Sequence, residues 1–201
     1  MQNKLKKISI ALISLLLLAS ALLLEVFPPH AFYNQLLGRV NISGFQSNIT
    51  LNDYHMRNQF KESISWQDFA DKPLFITAGF TYCAYTCPVT LSIFKKLDDK
   101  LNNKAKYALL TIDPANDKPD VLRTYLAGFG DNFTGIYIED NKLFKKALSD
   151  LRKSIKKLAG ENDIIHDDLI YLLHPKLDGL VIYADNDISA IVNDLKKLED
   201  E

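Results

Sequence analysis

Cysteine is scarce in this sequence: Cys83 and Cys87 are the only two among 201 residues. With no other thiol, any disulfide within one chain must join these two. The stretch "FTYCAYTCP" is therefore a structural disulfide, a redox couple or the soft half of a metal site. Histidine is nearly as sparse, with four residues, and neither His30 nor His55 has a second candidate ligand at metal-like spacing; both read as surface or structural. An excess of positive charge is also missing. The 24 Lys and Arg are balanced by 25 Asp and Glu, a net charge of -1, which leaves no overall basic field for nucleic acid. The lysine pairs at 95–96, 145–146, 156–157 and 196–197 fall on helical stretches and read as solvated faces. No internal repeat or low-complexity tract occurs, and an apolar content of 47% suits one globular domain with a sizeable core.

The N-terminus has the opposite character. "MQNKLKK" is a short basic region, and the run from Ile8 to Leu24 that follows carries no charge until Glu25. Its length is at the lower edge of the roughly 17–25 residues that span a bilayer. The small triplet Ala19-Ser20-Ala21 also suits signal-peptidase cleavage. Residues 1–24 are thus expected to be a signal or anchor segment. Both readings place the rest of the chain outside the cytoplasm, where disulfides can form. Residues 25–50, with Pro28-Pro29 and no sustained period, read as a linker running into the first strands of a domain over 51–201.

Beyond residue 65 strand-like and helix-like stretches alternate. "KPLFITAGF" (72–80), "KYALLTID" (106–113) and "FTGIYI" (133–138) read as buried strands. Pro88 is expected to open a helix with Thr90, Ile93, Phe94, Leu97 and Leu101 on one face. A second helix aligns Leu122, Tyr125, Leu126 and Phe129, with Gly128 or Gly130 near its end. Asp140 can cap a third, with Phe144, Ala147, Leu148, Leu151, Ile155 and Leu158 inward and Gly160 at its end. The runs "LIYLL" and "GLVIY" flank the turn "HPKLDG", and a last helix from Asp187 buries Ile188, Ile191, Val192, Leu195 and Leu198. The pattern predicts an α/β sandwich with a mixed central sheet, because the terminal hairpin rules out a wholly parallel one.

The cysteines then fall after the end of a buried strand and across the start of a helix, where open α/β sheets carry their sites. The helix N-terminus favours anions and so lowers thiol pKa. His166, in "NDIIHDDLIYLL", precedes a strand in what should be a loop. Two thiolates and one imidazole would suit Cu(I) and could also accept Cu(II), with Asp167 or Asp168 orienting the ring. His174, in the turn "HPKLDG", is a rival whose position favours a structural role.

The stretches "KPLFITAGFTYCAYTCPVTL", "LLTIDPANDKPDVLRTYLAGF" and "IIHDDLIYLLHPKLDGLVIY" together resemble the SCO/SenC family of thioredoxin-fold copper proteins, over roughly residues 55 to 200. The family's CxxxC pair followed by Pro, and its distant His before a strand, match Cys83, Cys87 and His166. Its aspartate-proline step before a helix matches Asp113-Pro114. The chain departs from the pattern in two places. Ala84-Tyr85-Thr86 stand where many members have Pro and Asp, and Ile165-His166-Asp167 replaces an Asp-His-Ser-like context. The resemblance implies a thioredoxin-like sandwich holding one copper ion through Cys83, Cys87 and His166. It also implies a role in building the dinuclear copper site of cytochrome c oxidase subunit II or another cuproprotein, with a copper donor and a thiol reductant as partners. It further implies anchoring at, or export across, a membrane, facing the periplasm or, in a eukaryote, the mitochondrial intermembrane space.

The competing reading is an enzyme, a thiol-disulfide oxidoreductase in which Cys83 attacks and Cys87 resolves. A thiol peroxidase would need a Thr where this chain has Phe80. A purely structural disulfide would close only a short loop and so remove little unfolded-state entropy. Tyr82 and Tyr85 read as loop aromatics, with shielding of the ion or partner docking as the other reading.

Overall fold

The computed structural model describes residues 40–47, 51, 54–159 and 169–200, the side chains of 151–159 excepted. Two compact units divide the chain, Met1–Ile42 and Ser43–Glu201, and the fold is that of the second. The N-terminal signal or anchor reading, His30, Gly160 and His166 all fall outside the described residues. Among the described residues no helix is long and apolar enough to cross a membrane.

The element order is β1 (Phe45–Ser47), β2 (Met56–Arg57), β3 (Ser63–Ile64), a 3-10 turn (Trp66–Phe69), β4 (Leu74–Gly79), α1 (Thr86–Leu101), β5 (Lys106–Thr111), α2 (Pro119–Leu126), β6 (Phe133–Ile138), α3 (Asn141–Ala159), β7 (Ile170–Leu173), β8 (Leu180–Tyr183) and α4 (Ile188–Asp200). The strands form one sheet in the order β1-β8-β7-β4-β5-β6-β2-β3. β4, β5 and β6 are parallel and the other pairings antiparallel. This is the mixed-sheet α/β sandwich that the alternating pattern and the terminal hairpin predict. The stretch 25–50 contributes β1 itself, paired with β8 through Phe45↔Ile182.

Alternation along the strands builds a core on both faces. Leu74 and Ile76 of β4, Ala108 and Leu110 of β5, and Ile136 and Ile138 of β6 join Ala147 of α3 on one side. Phe75, Tyr107 and Phe133 stack on the other, with centroids 5.7 and 5.2 Å apart. Phe94 of α1 packs onto them. Burying a side chain of this size contributes about 1.5–3 kcal/mol. α2 seats Leu122 and Leu126 over Gly135, where an added Cβ would lie 3.1 Å from each.

Local chemistry fixes the helix ends. Asp140 Oδ1 accepts from the N–H groups of Lys142 and Leu143, both at 2.8 Å. Asp187 does the same for Ser189 and Ala190, as capping predicts. One boundary differs from the reading above: α1 begins at Thr86, so Pro88 lies inside its first turn. A proline there breaks no helical bond, because first-turn N–H groups have no intrahelical acceptor. The shift draws Cys87 into the helix and leaves Cys83 in the loop before it.

Candidate metal centre

β4 ends at Gly79, and residues 80–85 turn from it into α1. Cys83 N–H donates to the Phe80 carbonyl at 3.2 Å, closing a turn that sets the first thiol against the helix start. Cys83 is partly exposed and Cys87 is buried, at 3% relative exposure. Glycine at 79 is a packing requirement: a Cβ there would lie 2.6 Å from Cys87 Sγ and 3.2 Å from Leu109 Cδ1. The second sulfur thus rests directly on the strand backbone.

A single buried carboxylate pins the loop. Asp117 is fully buried and accepts from Thr81 N–H at 3.2 and 3.1 Å, from the Thr81 hydroxyl at 2.5 Å and from the Thr111 hydroxyl at 2.6 Å. The end of β5 and the cysteine loop are therefore joined through one side chain, and each oxygen is satisfied, as burial of a charge requires. Outside it, the Tyr82 hydroxyl donates to Asp113 Oδ2, which also accepts from Asn116 Nδ2 at 2.8 Å. The Asn116 bond first and the Tyr82 bond second hold Asp113 below the usual carboxylate range. Tyr85 remains 83% exposed.

The two thiols differ sharply. Burial pushes Cys83 up, but it is outweighed by hydrogen bonds from the Thr86 hydroxyl, the Cys87 N–H, the Cys87 thiol and the Tyr85 N–H, which bring its pKa down to about 6. The Thr86 contact is 3.2 Å and the Cys87 N–H contact 3.5 Å. For Cys87 burial dominates. The neighbouring Cys83 adds to it, against a backbone hydrogen bond from Phe80, and the thiol rises to about 11. The lowering expected of a helix start thus reaches Cys83 alone, because Cys87 sits against β4 where its charge is poorly solvated.

Each thiol's titration is set in part by the other and the Cys87 N–H reaches Cys83 Sγ, so the two sulfurs are neighbours, and as thiolates they would form a soft donor set that fits copper. Among the described residues no cluster of three or more His, Cys, Asp or Glu is placed to hold a metal ion. The strand after His166 is described: β7 runs antiparallel to β4, with Ile76↔Tyr171, and the Thr77 hydroxyl donates to the Leu169 carbonyl at 3.3 Å. β7 therefore begins beside the end of β4 that leads into the cysteine loop. His174 has the structural role its turn suggests. It is buried, its Nδ1 accepts from Lys176 N–H at 3.2 Å, and burial followed by the Lys176 charge lowers its pKa.

Two residues of this neighbourhood were not singled out by sequence reasoning. Asp117 sits in the polar run "DPANDKP", which carries no apolar signal of burial. Tyr125 reads as one more residue of a helical stripe, yet its hydroxyl is buried without a partner among the described residues.

Comparison with known proteins agrees with this geometry. The SCO1/SenC family model matches residues 44–199. An SCO2-like protein of Rickettsia felis is 31% identical over 186 residues, covering 86% of each chain. A putative copper-binding protein of Stutzerimonas stutzeri is 27% identical over 165 residues, covering 73% of this chain and 81% of its own. Among solved structures, Bradyrhizobium japonicum ScoI with copper bound superposes with a TM-score of 0.58 at 21% identity, over 73% of this chain and 98% of that one. A thioredoxin-like sandwich with a CxxxC pair at the strand-to-helix junction, matched by the family model over most of its length, belongs to the SCO1/SenC family.

Proposed function

We propose that this chain is a copper-binding assembly factor that delivers copper to, or prepares, the dinuclear copper site of cytochrome c oxidase subunit II. The observation that carries this reading is the unequal thiol pair: a partly exposed sulfur with a pKa of about 6 beside a buried one at about 11. Cys83 is a thiolate at neutral pH and meets the incoming ion first. Cys87 loses its proton as the second bond forms, which links loading to proton release. The third ligand is His166, with Asp167 or Asp168 orienting the ring. Support comes from chain position: His166 lies three residues before Leu169, whose carbonyl accepts from Thr77 of the strand that leads into the cysteine loop.

A site with one sulfur at the surface and few ligands can pass its cargo on by stepwise ligand exchange. Both cysteines must be reduced to load, since a disulfide offers no thiolates, so a thiol reductant and a copper donor are the expected partners. We place the domain outside the cytoplasm, anchored or exported by the basic and apolar N-terminal segment. Copper stoichiometry and affinity of the reduced full chain test the reading. His166→Ala should weaken binding substantially, and full affinity in that variant would sink it.

The same pKa split favours a second reading, thiol-disulfide exchange. The Cys83 thiolate attacks a partner disulfide and expels one partner thiolate. Deprotonated Cys87 then attacks Cys83 Sγ and expels the other, so two electrons pass to the partner and a Cys83–Cys87 disulfide remains. His166 has no part in this chemistry, so His166→Ala should leave disulfide reduction intact.

A further inference from the structure

Tyr82 and Tyr85 lie on either side of Cys83 in one loop, yet their surroundings differ. Tyr85 is 83% exposed. Tyr82 is held twice: its ring packs against Phe80 with centroids 4.7 Å apart, and its hydroxyl donates to Asp113 Oδ2. Asp113 is itself fixed in the tight turn that follows β5. Its carbonyl accepts from the N–H groups of Asn116 at 3.1 Å and Asp117 at 2.9 Å, and its carboxylate accepts from Asn116 Nδ2 at 2.8 Å. Its own N–H donates to the Thr111 hydroxyl at 3.0 Å. Tyr82 is therefore latched to an ordered turn and not to a freely rotating side chain.

Among the described residues, the side-chain bonds that tie this loop to another part of the fold all lie before Cys83. Asp117 holds Thr81 and Asp113 holds Tyr82. Ala84, next along the chain, has no polar side chain with which to add a third. Each residue has two soft backbone dihedrals. A loop fixed at Thr81 alone leaves those of Tyr82 and Cys83 free to swing the thiol, whereas a loop fixed at both leaves only those of Cys83. In the latched arrangement Cys83 Sγ accepts from the Cys87 N–H at 3.5 Å, which keeps it beside the residue whose thiol it must meet.

We propose that Tyr82 is a positioning residue for Cys83, its hydroxyl bond to Asp113 holding the cysteine loop in the arrangement from which Cys87 reaches Cys83 Sγ. The inference rests on the thiol-exchange reading given above. The phenol gives up no proton in this role. It acts by geometry, keeping the two reacting groups together for a larger fraction of the time.

The test follows the reduced, metal-free full chain with a stoichiometric amount of a chromogenic aromatic disulfide. Cys83 thiolate attacks the reagent, forms a mixed disulfide and releases one aryl thiolate. Cys87 then gives its proton to the buffer, attacks Cys83 Sγ, closes the intramolecular disulfide and releases the second aryl thiolate. Tyr82→Phe keeps the ring on Phe80 and removes only the hydroxyl. It should leave the first release unchanged, because Cys83 is partly exposed and meets the reagent without Cys87. The second release should slow about threefold, the low end of what one hydrogen bond contributes, since Tyr82 is 61% exposed and water competes for the bond. In an Asp113→Ala background Tyr82→Phe should change neither phase, because the acceptor is already gone. Tyr85→Phe, which removes a phenol from the same loop, should also change neither. A second release in Tyr82→Phe as fast as in the wild type, an equal slowing of both phases, the same slowing in the Asp113→Ala background, or an equal slowing by Tyr85→Phe would overturn the proposal. No second release in the wild type would overturn the thiol-exchange reading and this inference together. Failure of the wild type to bind copper would overturn the assembly-factor reading alone, with the second release still judging Tyr82.

Discussion

Replacing Thr86 by Val removes the largest stabilising bond to the Cys83 thiolate while keeping a β-branched side chain of nearly the same shape. The hydroxyl stands 3.2 Å from Cys83 Sγ and heads the interactions that bring that thiol to about 6. A hydrogen bond to a charged group contributes about 1.5–3 kcal/mol. Partial exposure calls for the low end, so the variant's Cys83 should titrate near about 7, one pKa unit being about 1.4 kcal/mol. The sign is that of a depressed acid: the thiolate exists above the midpoint and is lost as pH falls through it. Neutral pH is therefore a poor place to look, because both proteins are at least half thiolate there. About two units lower, the variant should be alkylated roughly tenfold more slowly than the wild type. Iodoacetamide kinetics across pH, with mass spectrometry to locate the adduct, read this directly. Cys87 supplies an internal comparison. With a pKa of about 11 it is a thiolate in about one molecule in ten thousand at neutral pH. After allowing for the lower nucleophilicity of the more acidic Cys83, it should still react about a hundredfold more slowly. A midpoint near 6 in Thr86→Val, or equal alkylation of the two cysteines in the wild type, would refute the reasoning.

Other substitutions probe the scaffold beneath the pair. Gly79→Ala puts a methyl 2.6 Å from Cys87 Sγ and should cost about 1–3 kcal/mol in chemical denaturation, with slower closure of the disulfide. Asp117→Asn replaces the acceptor of the Thr81 and Thr111 bonds by an amide with one acceptor oxygen. It should destabilise the reduced chain by about 1–3 kcal/mol, measured by urea unfolding. His174→Asn should leave copper stoichiometry unchanged while lowering the thermal midpoint, because His174 is a buried turn residue.

The fold was legible where burial leaves a periodic signature. β4 to β8 are continuous apolar runs, and Phe133–Ile138 is found with the limits its sequence suggests. β2 and β3, of two residues each, are too short to show a period, and their pairing rests on β6 far along the chain. The lysine pairs read as solvated faces because charge at helical spacing is seldom anything else, and Lys95, Lys96, Lys145 and Lys146 are exposed.

The site was legible in its thiols and in the greater exposure of Cys83, but not in the opposite directions of their pKa shifts. Whether a helix start lowers a thiol or burial raises it depends on a two-residue shift of the start of α1 and on the absent Cβ of Gly79, neither visible in "CAYTCP". Asp117, and in the scaffold the buried Asp194 of α4, were invisible for a related reason. Each is an acid in a polar or helical stretch whose partners, Thr81 for one and Ser43 for the other, are distant in sequence. Burial of such a group is decided by tertiary contact and leaves no local mark.

The central claim is that Cys83, Cys87 and His166 together hold copper, and a copper titration of the reduced full chain beside His166→Ala tests it most directly. Near-unit stoichiometry in the wild type, with affinity substantially lost in the variant and its disulfide reduction intact, is the predicted result. Equal affinity in the two proteins, or no copper binding by a fully reduced wild type, would contradict it.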